Sequence, residues 1–449
     1  MDMLARFQCL RPHVTATTLR QLSRMAWAML VMPGRVTMLG ISRWAGQGGS
    51  DRTVQRFFSH ALPWAMLFWV FFRQHVHRPD EVYLLAGDEV VVTKAGKHPY
   101  GLDGFFSSLY GKPIPGLALF AFSLVSVQAR RAFPVRVEQV VRSEAEQAAS
   151  KANAAAKRRK PSTPSRRPGR PQGSRNTPKA AVPLTPELAR ITALLETLLK
   201  LIAGVSPLRS LVLDGHFGHH NALQMARQSH LHLISKLRSE AALYFPSTGP
   251  YAGRGPRRKS GSKVDDGHRP AQYLKETTRE GHIHTRVYQA QLLHKEFPHP
   301  LNVVIIIKMN PRTQARAHVI LLSSDLTLAY APLVDDYSLR FQIEFNCRDA
   351  KQYWGLEDCM NVTPTGVTNA ANLALFMVNV AYPLQAAVRP CDPDYRILDL
   401  KADCRGYKYV EETIKMLPEQ PEPVLLGQIL HKVTCLGRIH APQPSGSFS

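Results

Sequence analysis

The chain has 449 residues, room for about three structural units at roughly 150 residues each. Lys and Arg outnumber Asp and Glu by 57 to 34, a net charge of +23, yet 44% of residues are apolar and only 20% are charged. An apolar share of that size excludes a wholly disordered polycation, and the surplus charge calls for nucleic acid, an anionic membrane surface or an acidic protein as partner. A membrane fits least. The apolar runs 61–72 and 114–127 fall short of the ~20 residues a spanning helix needs, and Asp2, Arg6 and Gln8 interrupt the pattern of a secretory leader. Cys9, Cys347, Cys359, Cys391, Cys404 and Cys435 form no CxxC pair, which predicts reduced thiols in a cytoplasmic protein.

Residues 1–78 carry a helical pattern, with Leu19, Leu22, Met25, Ala26, Met29 and Leu30 three or four apart. A further helix starts at Gly48-Gly49-Ser50-Asp51 and lines Val54, Phe57 and Phe58 on one face beside Arg52 and Arg56. A basic helical region of this kind reads equally as a DNA reader and as a packing module. Residues 79–146 hold three predicted strands, 83–92, 116–127 and 132–141. Residues 147–184 contain ten Lys or Arg and no acid, with five prolines between Pro161 and Pro178, and are expected to be a disordered basic loop. Within it Arg167-Pro168-Gly169-Arg170-Pro171 resembles a minor-groove hook, with Arg167 and Arg170 as its DNA contacts; a solvated loop is the plainer reading.

Order resumes over 185–237 with a helix capped by Thr185 and Pro186, a strand at 210–214, a short helix at 221–227 and a strand at 231–236. The succession β-β-β-α-β-α-β predicts an α/β layer with a mixed sheet. Residues 238–335 are too long for a plain loop and read as a β-rich insertion with strands near 286–293, 301–309 and 317–322. Residues 336–388 are expected to be helical, and 389–449 form a C-terminal region for dimerisation or DNA contacts.

Three acids stand out by position. Asp88 lies within the first apolar strand on the face of Ala86, Val90 and Val92, where an unpaired carboxylate is costly. Asp214 ends the strand at 210–214, the kind of strand end at which α/β sheets place their sites. Glu344 belongs to a helix expected to begin near Asp335 or Asp336. At 100° per residue, Tyr337, Arg340, Glu344 and Lys351 share a stripe about 60° wide. Leu339, Ile343, Ala350 and Trp354 form the adjacent apolar stripe that would seat the helix on the sheet. A carboxylate flanked by cations suits phosphodiester chemistry, in which acids hold divalent ions and cations hold phosphates. An ordinary Arg340–Glu344 pair on a solvated helix is the alternative.

Tyr337-x2-Arg340-x3-Glu344-x6-Lys351 matches without gaps the signature of a group of DDE transposases from bacterial insertion sequences, and residues 80–385 or so resemble that family. The resemblance implies an RNase H-like mixed sheet with flanking helices, a β-rich insertion and an N-terminal helical domain. It implies that Asp88, Asp214 and Glu344 hold a pair of Mg²⁺ or Mn²⁺ ions, and that Tyr337, Arg340 and Lys351 contact DNA phosphates. The partners implied are double-stranded DNA, both the terminal repeats and the target, and a second copy of the chain. The reaction implied is strand cleavage at the element ends followed by transfer of the 3′-OH.

One departure concerns tryptophan, used by some relatives to hold a flipped base during hairpin formation. Trp27, Trp44, Trp64, Trp69 and Trp354 all lie outside the stretch between Asp214 and Glu344. Tyr244, Tyr251, Tyr273 and Tyr288 are the aromatic alternatives there. His216, His219, His220, His282, His284, His294 and His299 lack zinc-site spacing and read as polar or DNA-facing residues. Glu89 is expected on the opposite strand face from Asp88, and Asp103 in a Gly-rich turn; Glu357 and Asp358 lie beyond Lys351. Two rival functions remain on the sequence: an inactive DNA-binding relic, and an RNase H-like nuclease without strand transfer.

Overall fold

The computed structural model describes residues 2–94, 96, 98–107, 110–149, 152, 183–249, 253, 259–264, 271–358, 360–419 and 421–440. Its organising element is strand β1 (Tyr83–Thr93), antiparallel to β3 (Lys112–Ser126) on one side and parallel to β5 (Ser210–Leu213) on the other. β2 (Asp103–Ser107) and β4 (Arg131–Val140) both pair with β3, so Asp103 opens a strand rather than sitting in a turn. β5 is followed in the sheet by β6 (His232–Leu237), again in parallel. This is an RNase H-like mixed α/β fold.

The β-rich stretch extends the same sheet. β11 (Leu301–Met309) and β12 (Arg316–Ser323) form a hairpin whose second strand pairs with β6, and β10 (Ile283–His294) adds to β11. Short strands β7 (Leu243–Pro246) and β8 (Ser260–Lys263), with β9 (Leu274–Glu280), complete a sheet of 12 strands among the described residues. Pairing β12 onto β6 satisfies backbone groups that an edge strand would leave open.

One sheet face carries α6 (Pro186–Ile202) and α7 (His220–Gln228), which bury Leu188, Leu195, Leu223 and Met225 against Phe120, Phe122, Leu211 and Leu213. On the other face α8 (Tyr330–Leu339) and α9 (Gln342–Tyr353) set Leu339 and Ile343 on Ala86, Val212 and Ile234. These are two helices, not the single one expected from 335 onward. At the join Phe341, Ile343 and Glu344 donate to the carbonyls three residues back, of Ser338, Arg340 and Phe341. The tighter turn sets Arg340 at the corner, with Tyr337 on one helix and Glu344 and Lys351 on the other.

The N-terminal helices α1 (Met3–Arg6), α2 (Ala16–Val31), α3 (Met38–Trp44), α4 (Asp51–Ser59) and α5 (Trp64–His75) share one core with α10 (Pro364–Val388) and α11 (Ile397–Ile414). Asn369 on α10 joins the two ends of the chain: it donates to the carbonyls of Phe58 (2.8 Å) and His60 (2.7 Å) and accepts from Trp64 Nε1 (2.8 Å). By length and composition α10 is apolar enough to cross a bilayer, yet 72% of its most apolar window is buried within this fold. Counting unbroken apolar runs missed it because Asn369, Asn372 and Asn379 interrupt the sequence. The last described helix is α12 (Pro423–Thr434), and beyond it Arg438 pairs with Asp392 and Asp403.

Candidate active site

The register of β1 with β5 sets Ala86 opposite Val212 and Gly87 opposite Leu213. Asp88 is the next residue of β1, and Asp214 directly follows the last residue of β5 as the cap of the turn after it, so the two acids come next to one another where the pairing ends. Asp88 thus lies mid-way along β1 where its pairing with β5 stops, and Asp214 just past the end of β5, on the face covered by α8 and α9.

Arg340 enters between the acids. Its Nη1 donates to Asp88 Oδ2 at 2.8 Å and its Nη2 to Glu344 Oε1 at 3.1 Å, with only 13% of the side chain exposed. The third guanidinium donor, Nε, is buried without a partner. Asp88 is pushed up to about 6, chiefly by burial; Arg340 opposes the rise, and the charges of Asp214 and Glu344 add to it. The backbone N–H of Glu89 donates to the other oxygen, Asp88 Oδ1, at 2.9 Å. Asp214 accepts from the His216 N–H at 3.1 Å through Oδ1, and its carbonyl accepts from Ser235 Oγ at 2.7 Å, so the loop after β5 is tied to β6.

Tyr337 lines the same cleft, its phenol held above the ordinary value first by burial. Lys351 stands on the far side of Asp88, with Nζ donating to the Val91 carbonyl at 3.1 Å and paired with Glu357 at 3.3 Å. The cleft encloses about 540 Å³ between Asp214, Tyr337, Arg340 and the strand end of β6, which adds Lys236 and Arg238. Neither of those cations stood out in the sequence, because nothing in a run of residues reveals which strand will lie next to β5. Cys347 was likewise missed; burial pushes its thiol up to about 12, so it is protonated and no nucleophile at neutral pH.

The remaining candidates lie elsewhere. Glu89 turns to the opposite face, into a cavity shared with Glu187 and Arg190, where burial holds its carboxyl above the ordinary range. Asp103 pairs with Arg142, and Asp358 with Arg35. His216 pairs with Glu187 at 3.4 Å, which raises the imidazole and lowers the carboxyl. Among the described residues, no three His, Cys, Asp or Glu side chains converge closely enough to ligate one ion, and a guanidinium rather than open space separates Asp88 from Glu344. Arg167, Arg170 and Tyr251 lie outside the described residues.

The family model of the DDE superfamily endonucleases matches residues 9–294, well over half of the chain. The chain belongs to this endonuclease family. The match takes in α2 to α5, Asp88 and Asp214, and ends ahead of Glu344, whose place beside them comes from α9. No curated protein matches the endonuclease.

Proposed function

We propose that this endonuclease is the transposase of a bacterial insertion sequence, cutting double-stranded DNA at the ends of its element and joining the freed 3′-OH to target DNA. The observation that carries the reading is the Arg340 bridge. A guanidinium held between two carboxylates, with Nε unpartnered, is a group ready to exchange a carboxylate for a phosphate, which it binds in the same forked geometry. It occurs within the spacing Tyr337-x2-Arg340-x3-Glu344-x6-Lys351.

Asp88, Asp214 and Glu344 fit Mg²⁺ or Mn²⁺ by donor chemistry, being oxygen ligands only, and a cation would offset both the burial that chiefly lifts Asp88 and the neighbouring negative charges that add to the rise. These three residues would hold the metal, a pair of ions on this reading. When bound, such ions ease deprotonation of the attacking water or 3′-OH and neutralise the leaving oxygen. Arg340 and Tyr337 would then orient the cleaved phosphate, and Lys351 its neighbour. The N-terminal helices would bind the element end, and a second copy of the chain the other end, in the bacterial cytoplasm.

The test incubates the purified protein and Mg²⁺ with duplex DNA bearing its element end, beside Asp88→Ala, Asp214→Ala and Glu344→Ala. Nicks at the element boundary and joined products are expected from the wild type alone. Cleavage that persists in any of the three variants refutes the assignment, and nicking without joined products reduces the function to that of a nuclease.

A further inference from the structure

The β6 side of the cleft holds two cations to which the proposed function gives no role. β5 and β6 pair with Leu211 opposite Leu233 and Val212 opposite Ile234. Carried two residues on, this register sets Lys236 level with Asp214, as the β1–β5 register sets Asp214 level with Asp88. Side chains alternate along a strand, so the three share the face of the buried Ala86, Val212 and Ile234. Three adjacent strands, each about 4.8 Å from the next, thus present acid, acid and base in one row.

Lys236 is exposed and lines the cleft with Arg238, yet neither forms a salt bridge with another described residue. Their backbone is firmly placed. The His318 ring hydrogen-bonds the Ser239 carbonyl at 3.0 Å, and Gly218 packs so closely on the Lys236 carbonyl that a Cβ there would collide with it. Past Arg238 the cleft continues into a second cavity of about 330 Å³ that shares Gly215, Leu237, Arg238 and Glu240 with the first. The acids are therefore bracketed by cations, Lys351 on the β1 side and Lys236 with Arg238 on the β6 side.

We propose that Lys236 and Arg238 form a second phosphate clamp, which holds the DNA backbone on the β6 side of the cleaved phosphodiester while Arg340 and Lys351 hold it on the other. Lys236 supplies a point charge beside Asp214, and Arg238 a forked donor at the passage between the two cavities. The inference rests on the DNA-cleaving reading, and its test separates the two.

The full chain is titrated, without metal, against a fluorescein-labelled mixed-sequence duplex over a series of salt concentrations, following anisotropy. Lys236→Ala and Arg238→Ala should each flatten the slope of log K against log salt by about 0.9, and the double variant by about 1.8. Lys236→Arg and Arg238→Lys, which keep the charge, should restore the wild-type slope, and Lys200→Ala on α6, across the sheet, should leave it unchanged. A folded double variant with the wild-type slope overturns the clamp, and if Lys351→Ala still flattens the slope the DNA reading stands. Wild-type binding that does not respond to salt overturns both.

Discussion

Asp88 is held in its place against its own charge. Its folded value of about 6 lies above the ordinary 3.8, so between those values the folded chain binds more protons than the unfolded one, and stability falls as pH rises through that window. Above pH 6 the whole cost is present, about 3 kcal/mol, because each tenfold change in proton affinity is worth ~1.4 kcal/mol. Asp88→Asn should therefore be more stable than the wild type near pH 8 and lose that advantage toward pH 4, a pattern visible in thermal midpoints scanned across pH. Arg340 relieves part of the same cost, since its single charge is shared between Asp88 and Glu344. Removing it frees two carboxylates for a metal: calorimetric titration of Arg340→Gln with Mn²⁺ in the absence of DNA should give an affinity at least about tenfold above the wild type, ~1.4 kcal/mol. Asp88→Asn should show the opposite, with no rise in thermal midpoint when Mn²⁺ is added.

At the scale of elements, the site is assembled from the middle of β1, the end of its parallel neighbour β5 and a corner between two helices. The change from four-residue to three-residue hydrogen bonding around Arg340 sets Tyr337 and Arg340 on one cleft and leaves Glu344 within reach of the same guanidinium, whereas a straight helix would string the three along its axis. The turn after β5 is equally constrained, because Gly218 lies against the carbonyl of Lys236 and Asp214 caps that turn. Gly218→Ala must push the turn away from β6. It should cost about 1–3 kcal/mol in chemical unfolding, the range for overpacking a close contact, and should lower metal-dependent cleavage beyond what that loss of stability explains, because Asp214 moves with the turn.

At the scale of the whole molecule, the N-terminal helices are inseparable from the rest. Leu22, Met25, Phe57 and Phe68 are buried in the cluster that also contains Trp354, Phe376 and Leu400, and Asn369 fastens the end of α4 to α10. A chain beginning at residue 79 should consequently expose that cluster and aggregate or unfold without cooperativity, as size-exclusion chromatography and a thermal scan would reveal. Asn369→Ala, which leaves carbonyls and the Trp64 N–H without their buried partner, should lower stability by about 2–4 kcal/mol.

Local pattern carried much of this architecture. The short apolar runs in 83–92 and 116–127, the cap at Thr185-Pro186 and the helical spacing from Tyr337 to Lys351 are readable because each depends on residues only a few positions apart. Position in a strand also singled out Asp88, since an acid among buried apolar neighbours needs a partner wherever the chain goes. The identity of that partner was another matter. Arg340 meets Asp88 across 252 positions, and Lys236 stands level with Asp214 only because β5 and β6 are parallel neighbours in one particular register. Sequence alone determined the principal strands and helices and that Asp88 would be costly to bury, but not the strand that Asp103 opens or the break at Arg340. Tertiary structure alone decided which charges face one another, because strand order and register are set by contacts that close loops of tens to hundreds of residues, and no local period encodes them.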